Sequence, residues 1–171
     1  MLNSEAADKF AIQNGVEAVK PSWLITKLRQ KQWDLWKEKS ARPGATDEDD
    51  SVLDHDLEGM GTVGAVALDR NGSVAAATST GGMTGKPKGR IGDTPIIGAG
   101  TWADTNIAVS CTGVGEAFIR TCAAHRLAMR YDTGISLHDA CQDVLNAVEP
   151  IGGRGGVIAV TADGNVATPF Q

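Results

Sequence analysis

Histidine and cysteine are scarce in this chain, three of each in 171 residues, and chemistry that depends on either has little to stand on. His55, His125 and His138 are dispersed, one in a stretch without periodicity and two on expected helices. A histidine-dependent triad is therefore poorly supported. Cys111, Cys122 and Cys141 show neither a CxxC pair nor Cys/His ligand spacing, so they read as buried free thiols in a reducing compartment. No GxSxG or HExxH motif occurs, nor a GxGxxG between strand and helix. Gly85-Lys86 is followed by Pro87, not by the Ser or Thr a phosphate cradle needs. No apolar run approaches a membrane span, and no basic segment followed by an apolar core opens the chain. The expectation is a soluble, cytoplasmic protein. The net charge of −5, with acid concentrated at Asp47–Asp50, argues against nucleic acid or an anionic membrane as partner. Aromatic residues make up only 5%, whereas 21 glycines and many alanines point to close backbone packing. A chain of this length fits one domain with a core of its own.

Ser4 is expected to cap a helix over Glu5–Gln13, with Ala6, Phe10 and Ala11 on one face and Asn14-Gly15 closing it. Thr26 opens a second helix to about Lys39, with Leu28, Trp36 and either Trp33 or Leu35 as its apolar face. From Ser40 to Glu58 periodicity disappears, within a linker over 40–61, and Thr46-Asp47-Glu48-Asp49-Asp50 cannot bury enough apolar surface to order itself. This stretch reads as a flexible acidic linker.

Two runs of small and β-branched residues follow, Thr62–Asp69 and Ser73–Ser79, on either side of Arg70-Asn71-Gly72. Asn-Gly favours a tight hairpin, and the uniform apolarity of the runs places it in a buried sheet. Beyond a Gly/Pro-rich loop, Ile96–Trp102 should be extended and Asn106–Cys111 a buried strand. One helix of about four turns should run from Glu116 to Tyr131. Ser136-Leu137-His138-Asp139 has the form of a capping box, predicting a helix over Leu137–Val148. Val157–Thr161 and Asn165–Phe170 form a second hairpin about Asp163-Gly164. Antiparallel hairpins bracketing paired helices indicate an α+β layered architecture.

Thr62 stands at the mouth of the first strand, directly after Gly59-Met60-Gly61. Threonine can act without histidine when its own backbone nitrogen is a free amine, which then serves as general base for the hydroxyl. An α-amino group titrates at roughly 7.7–8, so a useful neutral fraction exists near neutral pH. Chain cleavage between Gly61 and Thr62 would create that amine. Gly61 has no Cβ to obstruct attack on its carbonyl. As isolated residues, Thr62, Thr80 and Thr112 are equally strand-end hydroxyls, and Arg90 and Asp93 a loop salt bridge.

Three blocks change that balance: Gly61–Asp69, Ala75–Gly82 and Gly89–Gly100. Together with Ser110-Cys111-Thr112-Gly113-Val114-Gly115-Glu116 and the glycines before Val157, they resemble the isoaspartyl peptidase/plant-type L-asparaginase family. These are N-terminal-nucleophile hydrolases that cleave themselves into α and β subunits. The resemblance covers nearly all of residues 62–171, and more loosely the helices before them. It implies a four-layer αββα sandwich. Residues 1–61 would be the C-terminal part of an α-subunit-like segment and 62–171 a β-subunit-like catalytic segment, together one domain.

The resemblance also implies roles. Thr62 would be nucleophile and new N-terminus, and Thr80 would hydrogen-bond to it and help activate it. Arg90 would pair with the substrate α-carboxylate and Asp93 would accept from its α-ammonium. Thr112 and the Gly113 N–H would form the oxyanion hole, with Gly115 lining the pocket. Related glycosylasparaginases and the threonine aspartase generally carry Asp before the nucleophile, where this chain has Gly61. Arg90 and Asp93 together imply a substrate with both α-charges free, L-asparagine or a β-aspartyl dipeptide. No cofactor is expected; the family's structural sodium site and a substrate-contacting Asn would lie in an N-terminal segment that this sequence lacks. By the same resemblance the assembly would be a homodimer of αβ units. The alternative is a truncated, unprocessed, non-catalytic fragment acting only as a structural or interaction module.

Overall fold

The computed structural model describes residues 2–41 and 61–171. The chain divides into two compact units, Met1–Ala45 and Thr46–Gln171. The acidic linker expected over 40–61 lies, from 42 to 60, outside the described residues, as does His55.

In the first unit, α1 spans Ser4–Gln13 and α2 spans Lys27–Ser40. Thr26 caps α2, its hydroxyl accepting from the Arg29 N–H at 3.2 Å. The cap of α1 is Asn3 rather than Ser4, which is already helical in extent and has a positive φ. Neither helix has the buried apolar face expected of it: α1 buries nothing, and the one buried residue of α2 is Gln32. Phe10 and Leu28 remain exposed. Trp33 and Trp36 instead stack on each other, ring centroids 4.9 Å apart.

The second unit begins with the hairpin. Strand β1, Thr62–Leu68, pairs antiparallel with β2, Val74–Thr80, in a register that sets Thr62 opposite Thr80 and Gly64 opposite Thr78. Its turn is held by the Asp69 carboxylate, which accepts from the N–H groups of Asn71 and Ser73 at 2.8 Å each. Strands β3 (Thr101–Ala103), β4 (Ile107–Gly113), β5 (Gly155–Thr161) and β6 (Val166–Ala167) form an antiparallel sheet in sequence order. The hairpin packs across β4 and β5. Among the described residues only one of its faces is covered, which differs from the expectation of a buried sheet: Val63 is 68% exposed, and Ala65, Ala67, Ala75 and Ala77 are also exposed. On the opposite face the absence of a side chain at Gly64 lets the hairpin approach β4 closely. A Cβ on Gly64 would stand 2.2 Å from the Ser110 hydroxyl oxygen.

The core lies on the other face of the four-stranded sheet, against three helices: α3 (Gly115–Thr121), α4 (Ala123–Asp132) and α5 (Leu137–Val148). Helix α5 begins where the capping box predicts, with the Ser136 hydroxyl accepting from the Asp139 N–H and donating to its carboxylate. Its buried residues, Leu137, Ala140, Cys141, Val144, Leu145 and Val148, recur at helical spacing along one stripe. They meet Phe118 and Leu127 from the neighbouring helices and Ile107, Val109, Cys111, Val157 and Ala159 from the sheet. Full burial of each large apolar side chain contributes about 1.5–3 kcal/mol.

The single helix expected from Glu116 to Tyr131 is two helices. Cys122 adopts the left-handed conformation, φ 48° and ψ 49°, between them. That costs a non-glycine residue roughly 1–2 kcal/mol. The break frees the first N–H groups of α4 for an outside partner: Ala124 donates to the Ala99 carbonyl at 3.1 Å and His125 to that of Gly98 at 2.9 Å. The helix start therefore anchors the loop before β3. That loop turns at Gly98–Gly100, so the extended run expected over Ile96–Trp102 is confined to its end. Cys111 and Cys141 are buried, but Cys122, at the break, is exposed, contrary to the expectation for all three. Burial pushes the Cys141 thiol up to about 12 and the Cys111 thiol well above its ordinary value.

Candidate active site

Strand pairing alone brings the first two hydroxyls together. Thr62 and Thr80 are directly opposite on the face turned toward β4, and the Thr62 hydroxyl donates to that of Thr80 at 3.2 Å. Thr80 also accepts from the Gly82 N–H at 3.0 Å and donates toward the Gly61 carbonyl at 3.4 Å. One hydroxyl thus touches both the candidate nucleophile and the carbonyl of the bond it would attack.

Thr62 opens into a cleft of about 260 Å³ between the hairpin and the sheet. Thr112, near the C-terminal end of β4, lines the same cleft, as do Gly64, Ser110 and Phe170. Gly113 follows at φ +147°, a conformation open only to glycine, and a Cβ there would stand 2.1 Å from the Arg154 carbonyl oxygen. The turn at Gly113 directs the chain from β4 into α3.

Arg90, Asp93 and Gly115 form a second group, which does not line that cleft. They meet where α3 begins, three residues beyond Thr112: a Cβ on Gly115 would lie 2.9 Å from Asp93 Oδ1 and 3.0 Å from Arg90 Nη2. Asp93 is 5% exposed, and its Oδ2 has no hydrogen-bond partner among the described residues. Burial holds its carboxyl above the ordinary carboxylate range, opposed by N–H donors and by the Arg90 charge. Arg90 does not form the loop salt bridge with Asp93 that the sequence also allows. Its Nε and Nη2 instead donate to the two Glu116 oxygens, each at 2.7 Å. This forked pair lowers the Glu116 carboxyl and raises the Arg90 guanidinium.

Sequence reasoning assigned Glu116 no role beyond starting a helix. The partners are 26 positions apart, and no local pattern announces the pair. Ser110 was missed in the same way: its hydroxyl lies 2.7 Å from that of Thr78. Among the described residues no cluster of His, Cys, Asp or Glu could hold a metal ion, and no helix is long and apolar enough to cross a membrane.

The asparaginase family model matches residues 1–171, the whole chain. The chain belongs to this family. It is 47% identical over 180 residues to the isoaspartyl peptidase of Escherichia coli K12, an alignment that covers all of this chain and 53% of that protein. It is 42% identical to a putative isoaspartyl peptidase/L-asparaginase of Dictyostelium discoideum, covering all of this chain and 57% of that protein. Identity to the isoaspartyl peptidase/L-asparaginase of Xenopus laevis is 39%, again over the full chain and 53% of the relative. The chain spans about half the length of these curated relatives. Membership carries the fold of N-terminal-nucleophile hydrolases. The layers seen in the second unit, helices on a four-stranded sheet with the hairpin sheet beyond it, belong to that α+β architecture.

Proposed function

We propose that this asparaginase-family chain is a self-cleaving threonine amidohydrolase that releases L-aspartate from β-aspartyl dipeptides and L-asparagine. The observation that carries the reading is the Thr62–Thr80–Gly61 contact set. The Thr62 hydroxyl donates to Thr80, and Thr80 donates toward the Gly61 carbonyl oxygen. In the uncleaved chain Thr62 Oγ1 attacks the Gly61 carbonyl carbon, while Thr80 accepts the Thr62 proton and passes its own to the Gly61 oxygen, from which the departing nitrogen later receives it. The Gly61–Thr62 C–N bond then breaks, its nitrogen takes up a proton, and water hydrolyses the resulting ester. Gly61 leaves as a carboxylate, and Thr62 is left with a free amine.

In turnover that amine is the general base for the hydroxyl. Thr62 attacks the substrate side-chain carbonyl, and ammonia or the amino end of the second residue leaves. Water then hydrolyses the aspartyl ester. Thr112 and the Gly113 N–H are the donors for the oxyanion, a contribution of typically a few kcal/mol. Arg90 takes the α-carboxylate and Asp93 the α-ammonium. The support for these two roles is their shared position at Gly115 and the unpartnered, buried Asp93 Oδ2. We further propose a cytoplasmic homodimer of αβ units without a cofactor in this site.

Substrate analogues test the clamp directly. Leucine release from β-aspartyl-leucine is compared with release from its N-acetylated form and from the methyl ester of its aspartyl α-carboxyl group. Both analogues are expected to be poor substrates; turnover of either at the parent rate overturns the assignment of its partner.

Two variants follow from the same geometry. Arg90→Lys loses the forked pair with Glu116 that orients the guanidinium, and KM for substrates with a free α-carboxylate is expected to rise about ten-fold or more, read in steady-state kinetics. Asp93 must be ionised to bind an ammonium, and burial raises its carboxyl. KM should therefore rise as pH falls through that raised value, and Asp93→Asn should have a high KM with this pH dependence gone. The sign for stability is opposite. A carboxyl raised in the folded state binds more protons folded than unfolded, so stability falls as pH climbs from the ordinary carboxylate range through the raised value. Asp93→Asn is thus expected to melt higher than the wild type at neutral pH while binding substrate worse.

A further inference from the structure

Ser110 is 4% exposed, and its hydroxyl faces a space that exists only because residue 64 is glycine. Within that space it lies 2.7 Å from the Thr78 hydroxyl, which itself donates to the Gly100 carbonyl at 3.3 Å. With the Thr78 proton committed to Gly100, Ser110 is the donor between the two hydroxyls. The Gly100 carbonyl also accepts the Cys111 N–H at 2.9 Å, and the Gly100 N–H donates to the Asp93 carbonyl at 3.1 Å.

Three segments meet at this junction. Thr78 is two residues before Thr80 on the inner face of β2, and its cross-strand partner, Gly64, is two residues beyond Thr62. Ser110 is two residues before Thr112 on the face of β4 turned to the hairpin. Gly100 ties to the backbone of Asp93. The hairpin and the four-stranded sheet are separate sheets without a shared ladder, so no backbone hydrogen bonding between strands sets their spacing here. We propose that Thr78 and Ser110 are positioning residues. Their hydrogen-bonded couple, continued through Gly100, fixes the nucleophile strand against the oxyanion strand and the ammonium-binding loop. Thr78 does not line the cleft, and Ser110, which does, has its hydroxyl turned to Thr78; each acts through Thr62, Thr112 and Asp93. This inference rests on the proposed function for its catalytic consequence, though not for its geometry.

The test uses Thr78→Val, which keeps the shape and removes the hydroxyl, Thr78→Ser, which restores it, and Ser110→Ala, which leaves Thr78 bonded to Gly100. Hydrolysis of β-aspartyl-leucine is measured, with rates normalised to the amount of chain bearing an N-terminal Thr62. Misplacement of reacting groups by about 1 Å can cost on the order of a hundred-fold. Thr78→Val and Ser110→Ala are expected to lose about ten-fold or more in kcat, with KM also raised in Thr78→Val, whose link through Gly100 reaches the Asp93 loop, and Thr78→Ser to recover most of the loss. A merely structural role would lower the amount of processed chain without changing the normalised kcat, and that result overturns the proposal. So does a Thr78→Ser variant as impaired as Thr78→Val.

Amide hydrogen exchange on the same proteins separates this inference from the functional reading. If the wild type releases no aspartate, the functional reading fails, and exchange decides the positioning claim alone. Faster exchange in β1, β2 and the Asp93–Gly100 loop of Thr78→Val, reversed in Thr78→Ser, supports it. Exchange unchanged from wild type in Thr78→Val overturns it.

Discussion

Thr62→Ala is expected to leave a single uncleaved chain and no release of aspartate from either L-asparagine or β-aspartyl-leucine. Both effects have one origin. The hydroxyl is the group that attacks the Gly61 carbonyl and later the substrate, and the amine that activates it exists only after the first attack. Alanine removes the nucleophile but keeps the strand, since Thr62 is only partly buried and β1 is held by its register with β2. Melting temperature should hardly change. Thr62→Ser separates the two roles of the side chain: it keeps the hydroxyl and should still be processed. Intact-mass measurement reads the outcome, and two chains from the alanine variant would mean that the nucleophile is another residue.

Gly113→Ala is expected to be strongly destabilising. The added methyl would lie 2.1 Å from the Arg154 carbonyl oxygen and 2.8 Å from Gly155 Cα, both backbone atoms that cannot swing aside, at a φ of +147°. Backbone strain and overpacking together cost more than about 3 kcal/mol. For a unit of this size the midpoint of thermal unfolding should fall by roughly 10 °C. Gly134→Ala provides the control. Its φ is +89°, but a Cβ would meet nothing within 4 Å, so only backbone strain of about 1 kcal/mol should appear. Equal midpoints for the two variants would show that the close approach at Gly113 relaxes without cost. Any Gly113→Ala protein that folds should also be slow, because the Thr112–Gly113 donors move with the backbone.

Local signals in the sequence carried most of the second unit. The Ser136 capping box and the stripe from Leu137 to Val148 lie on contiguous residues and appear as read. The Asn71-Gly72 turn also sets the pairing of Thr62 with Thr80 eighteen positions away, because strand register follows from the turn. The break at Cys122 left no local trace, since neither Gly nor Pro marks it. The gain that offsets its strain comes from the Gly98 and Ala99 carbonyls, more than 20 residues earlier. The covered face of the hairpin was similarly hidden: Ala and Gly suit both two-sided burial and close approach on one side, and only the position of Ser110 distinguishes them. At the candidate site, the family blocks named the hydroxyls and the charged pair. Glu116 and the Thr78–Ser110 couple stayed invisible because each is a long-range contact between residues with ordinary local roles, a helix start and two strand hydroxyls.

The claim on which the rest depends is that Thr62 becomes an N-terminus by the chain's own chemistry. Intact mass with N-terminal sequencing, on purified wild-type chain before and after incubation at neutral pH, tests it most directly. The expected result is a time-dependent split into two chains, the second beginning with Thr62, at a rate independent of protein concentration and abolished by Thr62→Ala. A single chain that persists unchanged through incubation would contradict the account, and the non-catalytic structural module would become the reading to pursue.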